Sequence, residues 1–290
     1  MKTGPALKLA LTAAAFAAML AFPDTVSDSA RDGLAFCAEV LVPSLFVYMV
    51  MSDMLAEAAA FFPRAAFPYA VMISGLICGS PSGADSVRRI YENGGISKKQ
   101  AECLVAVSGS ASASFIVGFA GGAVLGSVRA GVIILILKAA ISFAAWAVIS
   151  HTALGAEERK FSVGACYGGA GLAGAVKRAA QTVTNICACV VFFTVVADFV
   201  TPLCANNVYA RLALRGALEF SGALGECRAL PAGARYVAAC ALIGWQGACV
   251  HLQVSVASGE KLSLGPYFAV KAAETCAMTA LGLLTKWLAV

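Results

Sequence analysis

Charge is scarce in this chain: Asp, Glu, Lys and Arg supply 13% of its 290 residues, about half the share usual in a soluble domain. Histidine occurs only twice, and the eleven cysteines include no Cys-x-x-Cys pair. Most of the cysteines (Cys37, Cys78, Cys187, Cys189, Cys240, Cys249 and Cys276) fall inside apolar runs. They read as small buried hydrophobes, and neither a metal site nor a cofactor is expected, because zinc needs Cys/His ligands at close spacing. There is no block of like charge and no interleaving of basic with aromatic residues, so the net charge of +5 is not a nucleic-acid footprint.

Apolar residue is what fills the chain: 60% of it is hydrophobic, with a mean hydropathy of +0.82. That composition belongs to an all-α, polytopic membrane protein whose partner is the lipid bilayer. Six segments have spanning capacity: Gly33–Leu55, Glu102–Gly122, Val132–Ser150, Val183–Cys204, Tyr236–Ala257 and Tyr267–Leu288. Residues 1–32 read as a retained first span, Leu9–Pro23, and a connector. Residues 33–151 form one repeat, the charged and Gly-rich stretch 152–180 a linker, and residues 181–290 a second repeat.

The two halves correspond. Asp53 and Asp198 each close a span, Ser82–Ala84 and Ser221–Ala223 share Ser-Gly-Ala, and Lys138 and Lys271 occupy the last span of each half. The offsets drift from 145 to 139 to 133 residues, as small deletions after a duplication would make them. Each half has three crossings, so the second enters from the opposite face and the repeats are inverted. Twelve Lys/Arg then share the N-terminal side and seven the other, which makes the N-terminus cytoplasmic.

GSPSGADS (Gly79–Ser86) follows PYAVMISGLIC (Pro68–Cys78), an apolar run of half-membrane length. Irregular backbone at membrane depth must be shielded by protein or face a watery cavity, so the pair reads as a re-entrant hairpin. Ser80 is placed to cap the second helix, with Pro81 at its first position and Ser82 in its first turn. The helix N-terminus, with Gly79 and Gly83 opening the backbone, then suits an anionic ligand. The next span is interrupted at Ser108–Ser114 by Ser110 and Ser112 among others, and reads as a broken helix. The second half repeats the plan in LEFSGALGE (Leu218–Glu226) and IGWQGACVHLQV (Ile243–Val254), with Glu219, Ser221, Trp245, Gln246, His251 and Gln253 as candidates. Buried charge in a membrane is costly and marks function, so Asp53, Asp198, Lys138 and Lys271 are ion-coupling candidates; Glu274, three residues after Lys271, is placed to neutralise it.

These stretches carry a resemblance. LVPSLFVYMVMSDML, SGLICGSPSGAD with YENGGISKKQAE, FIVGFAGG, LEFSGAL and GWQGACVHLQV together resemble the sporulation integral membrane protein family, over most of residues 33–257. That family carries the nucleoside-recognition or Gate domain related to concentrative nucleoside transporters. The resemblance implies a transporter in the mother-cell-derived outer forespore membrane that moves a small organic anion, dipicolinic acid. The chain departs from the family pattern where it has Ser110, Ser112 and Ala113, and again at Trp245, Gln246 and Gly247. Two other cargo or role classes fit the same fold: a nucleoside or other small metabolite, and a non-transporting envelope scaffold. A serine hydrolase is not expected, since His151 stands at a span end beside the linker and His251 has no obvious orienting carboxylate.

Overall fold

A computed structural model describes residues 4–58, 66–155, 158, 161, 171–204 and 206–289. Among them every regular element is helical and none is a strand. Helices α1 (Pro5–Ala21) and α2 (Pro23–Phe36) lead through a π-helical turn at Cys37–Leu41 into α3 (Val42–Ala58). Then come α4 (Phe67–Cys78), α5 (Ser80–Glu92), α6 (Lys98–Ser108), a π-helical segment Phe115–Val124, and α7 (Val128–Thr152). The rest of the chain contains α8 (Gly171–Val200), α9 (Val208–Leu218), α10 (Phe220–Glu226), α11 (Ala232–Trp245), α12 (Gly247–Ser258) and α13 (Gly265–Ala289).

Five helical stretches are long and apolar enough to cross a bilayer: Pro23–Met54, Val128–Thr152, Gly171–Cys204, Ala232–Ser258 and Gly265–Ala289. The protein is therefore an all-helical, multi-pass integral membrane protein. In four of the five only 22–33% of the apolar window is buried by protein, leaving side chains such as Ile136, Val148, Phe192 and Leu284 exposed for lipid. The fifth, α11–α12, is 67% buried and runs through the middle of the bundle. It lies closely against α13 because small residues meet there: a Cβ on Gly244 would stand 2.9 Å from Thr275 Cα, and one on Gly282 2.9 Å from Cys240 Cβ.

Polar residues mark the helix starts. Ser97 and Gln100 close a capping box on α6, each side chain accepting from the other's backbone amide. Ser127 caps α7 and Asn207 caps α9. Ion pairs and polar contacts gather the loops into two groups. One joins Asp53 to Arg89 and Arg178, Lys99 to Glu158, Ser263 to Glu102, and Arg88 to the Ala257 carbonyl. The other joins Asp198 to Arg215, Arg215 and Arg211 to Glu226, and Arg228 to the Ala123 carbonyl. Each group collects loops that the crossing count assigns to a single side.

Two sequence boundaries move. Residues 23–32 are not a connector: they belong to a helix that continues through the 32/33 boundary, where Asp28 and Arg31 pair at i,i+3 on an exposed face. Residues 171–180 are the first turns of α8 rather than linker, while residues 162–170 lie outside the described residues. The Glu102–Gly122 span is broken inside the expected stretch: residues 109–112 are non-helical between α6 and the π-helical segment.

Candidate functional site

Helices α4 and α5 pack against each other across a single residue, Gly79, whose φ of 96° and ψ of 167° form a turn open essentially to glycine alone. Gly79, not Ser80, is the residue before the helix, so the cap assigned to Ser80 shifts by one. Ser80 Oγ is released to reach across the fold, 2.8 Å from the Ser110 carbonyl and 3.0 Å from Gln246 Oε1. The first hairpin is thereby tied to both interrupted spans.

The second hairpin differs. Helices α9 and α10 are joined at Glu219, whose own carboxylate caps α10. Oε1 accepts from the Ser221 amide at 2.9 Å and from the Ser221 hydroxyl, and Oε2 accepts from the Gly222 amide at 2.6 Å. The expectation of two helix N-termini open to a ligand is thus corrected at this tip. The chain's own negative charge fills it, and the side chain is only 2% exposed.

Both interruptions lie at these tips. In the first, Ser112 Oγ accepts from the Phe115 amide at 3.2 Å and restarts the helix after the non-helical residues. In the second, Gln246 ends α11 in the left-handed region, φ 70°, the one described residue other than glycine with a positive φ. Gly247 follows with φ 75°, and a Cβ there would stand 2.9 Å from the Gly216 carbonyl and 3.0 Å from that of Leu218. The second break therefore presses on the backbone of the second hairpin.

Between the two tips and the two breaks is a cavity of about 60 Å³, space for several waters at ~10–15 Å³ each. Gly79, Ser80, Ser110, Ser112, Glu219, Ser221 and Gln246 all line it, as does Gln253. Its walls are apolar: Leu41 and Leu45 from the first long helix, Ile186 and Val190 from α8, and Phe115, Phe220, Cys78 and Cys249. Sequence reading missed these wall residues because an apolar side chain on an apolar helix carries no local sign of facing a cavity. No Lys, Arg or His is among the lining residues. Gln246 is fully buried, and its Nε2 has no partner. Turning the amide over would give Ser80 a donor but leave the oxygen alone, so one polar end of Gln246 is unmatched in either orientation.

Ser82, Gly83 and Trp245 do not line the cavity. Ser82 is partly exposed on α5. Gly83 packs on Ser108, and Trp245 stands edge-on to His251 with ring centroids 4.7 Å apart. Asp53 and Asp198 are held in the two peripheral ion-pair groups, away from the cavity.

Lys138 and Lys271 meet in a separate buried cluster. Lys138 Nζ is 2.9 Å from Glu274 Oε1, 2.9 Å from Ser142 Oγ and 3.2 Å from the Gly109 carbonyl. Lys271 Nζ is 2.8 Å from Glu274 Oε2 and 2.5 Å from the same Gly109 carbonyl. All three ionisable side chains are 0% exposed. The i,i+3 spacing revealed the Lys271–Glu274 pair, but Lys138 lies 136 residues from Glu274 and its place there needed the fold. Among the described residues no group of three His, Cys, Asp or Glu side chains is arranged to hold a metal ion.

Set against family models, curated proteins and solved structures, the chain matches none. What fold and site define together is a class: a multi-pass helical membrane protein with a polar-ended cavity at the meeting point of two helix hairpins and two interrupted helices.

Proposed function

We propose that this protein is a membrane transporter that carries a small, uncharged, hydrogen-bonding solute by alternating access around the cavity. The observation that carries the reading is the convergence of four interrupted segments on one cavity. Backbone breaks in buried helices are costly, and in transporters they surround the binding site. Helices α4–α5 with the first break, and α9–α10 with the second, are then the two inverted repeats, and the non-helical residues 109–112 and the Gln246–Gly247 joint are the hinges.

The solute class follows from charge. A dianion such as dipicolinate would face the Glu219 carboxylate with no cation on the cavity wall. An uncharged solute instead satisfies the unmatched end of Gln246 and the remaining acceptor capacity of Glu219 at no Coulombic cost. A nucleoside or another small polar metabolite fits this description, with the cavity widening to admit it. The anion reading, with its forespore membrane and cytoplasmic N-terminus, keeps one observation in its favour: the thirteen-residue α5 opens on the cavity with no side-chain cap at its N-terminus.

Uptake into proteoliposomes containing the purified chain tests the two readings, with uridine, adenine, glycerol and dipicolinate as solutes. Uptake of a neutral solute that is lost in Ser80→Ala supports the proposal. Uptake of dipicolinate alone replaces it with the anion reading, and uptake of none of the four returns the protein to the scaffold class.

A further inference from the structure

The Lys138–Glu274–Lys271 cluster lies outside the cavity, and solute binding does not use it. Two lysines and one carboxylate, all fully buried, leave a surplus charge of +1 if all are ionised. An uncompensated charge at such a site is strongly unfavourable, as it is when one partner of a buried pair is removed.

Hydrogen-bond arithmetic distinguishes the two lysines. Lys138 has three acceptors (Glu274 Oε1, Ser142 Oγ and the Gly109 carbonyl), which match the three N–H groups of an ammonium. Lys271 has two, Glu274 Oε2 and the Gly109 carbonyl, which match the two N–H groups of a neutral amine. A third N–H on Lys271 meets only the ring of Tyr267, whose centroid is 5.8 Å from Nζ.

We propose that Lys271 is a proton-exchange site and that the ion coupled to the protein's conformational cycle is a proton. The step is Lys271–NH3⁺ ⇌ Lys271–NH2 + H⁺, with Lys138 ammonium and Glu274 carboxylate remaining as a neutral pair. A metal cation is a poor alternative occupant, because two lysine side chains converge on the carboxylate it would need.

The same carbonyl links the site to the cavity. Both lysines donate to Gly109, and the next residue, Ser110, lines the cavity and accepts the Ser80 hydroxyl through its own carbonyl. Proton loss changes the hold on Gly109 and so, one residue away, the first hairpin's hold on the break. The titratable neighbours are Lys138 from α7, Glu274 and Tyr267 from α13, and His251 from α12, whose Nδ1 is 3.0 Å from the Tyr267 hydroxyl. Just past α6 the Gly109 carbonyl reaches the cluster, and Tyr236 and Cys240 of α11 lie further along α13, beside Thr285 and Gly282.

The use of the proton rests on the transport reading, but its binding is measured without any solute. Infrared difference spectra of the purified full chain in lipid nanodiscs, taken from pH 5 to pH 10, follow the carboxylate stretch of Glu274. That band is assigned as the one missing from Glu274→Gln. The wild-type band is expected to shift in a single one-proton step, and the step is expected to vanish in Lys271→Met, which leaves one balanced ion pair. Lys271→Gln serves as the second variant if the methionine chain does not fold. A wild-type band that stays fixed across the range overturns the proposal whatever the variants do. So does an unchanged step in the Lys271 variant.

Discussion

Gln246 combines two costs at one residue. A left-handed backbone conformation disfavours every side chain by about 1–2 kcal/mol, and its amide is buried with one end unmatched. Relief of both outweighs the lost hydrogen bond to Ser80, worth about 1 kcal/mol, so Gln246→Gly is expected to stabilise the protein by about 1 kcal/mol, read as a higher melting temperature in detergent. The same change should abolish solute uptake. A variant that is no more stable, or that transports normally, would remove Gln246 from the site. The sequence exposed this residue through the glycine beside it at a mid-span break. It did not expose the self-capping of Glu219, because an acidic residue before a helix reads alike whether it awaits a ligand or bonds its own backbone. Ser82 shows the opposite error: it lies next to a genuine cavity segment but, at one helical step further, turns away from it.

Among the elements, the hairpins were the most legible in sequence, since an apolar run too short to cross, followed by Gly-Ser-Pro, has few physical solutions. Both ends of α4 and the start of α5 fall within a residue or two of the expected places. The long helix Pro23–Met54 was less legible: its polar first turns resemble a connector until one sees that Pro23 starts a helix and that the charges occupy exposed faces. The turn at Gly79 allows a sharp test. Its dihedral angles cost a side chain about 1–3 kcal/mol, so Gly79→Ala should lower the melting temperature and pull Ser80 off Ser110 and Gln246. The measurable consequence is loss of uptake in a chain that still inserts into the membrane; unchanged uptake would show that the hairpin tip is not part of the path.

Across the whole molecule, two sets of ionic contacts at the loops enclose a bundle whose buried charge, among the described residues, lies at two places, the Lys138–Glu274–Lys271 cluster and the Glu219 tip. Short epitope tags inserted after Gly94 and after Gly126 should be reached by antibody from opposite sides of the membrane, as should tags after Asn206 and after Glu260, with Gly94 and Glu260 sharing a side. Gly94 and Gly126 on one side would break the odd crossing number on which the proposed inverted repeat depends. In the sequence the proposed repeat rests only on drifting correspondences, and Asp53 and Asp198 show the limit of that signal. Asp53 pairs with Arg89, after the first hairpin turn, whereas Asp198 pairs with Arg215, before the second. The lysines of the two halves, by contrast, converge on one oxygen atom, and that oxygen belongs to the main chain. A codon change can delete a lysine or a carboxylate but cannot delete a peptide carbonyl. A saturation mutational scan should therefore register position 109 as a limit on side-chain bulk, since a Cβ there stands 3.1 Å from both Lys271 and Tyr267, and positions 138, 271 and 274 as a limit on chemical type.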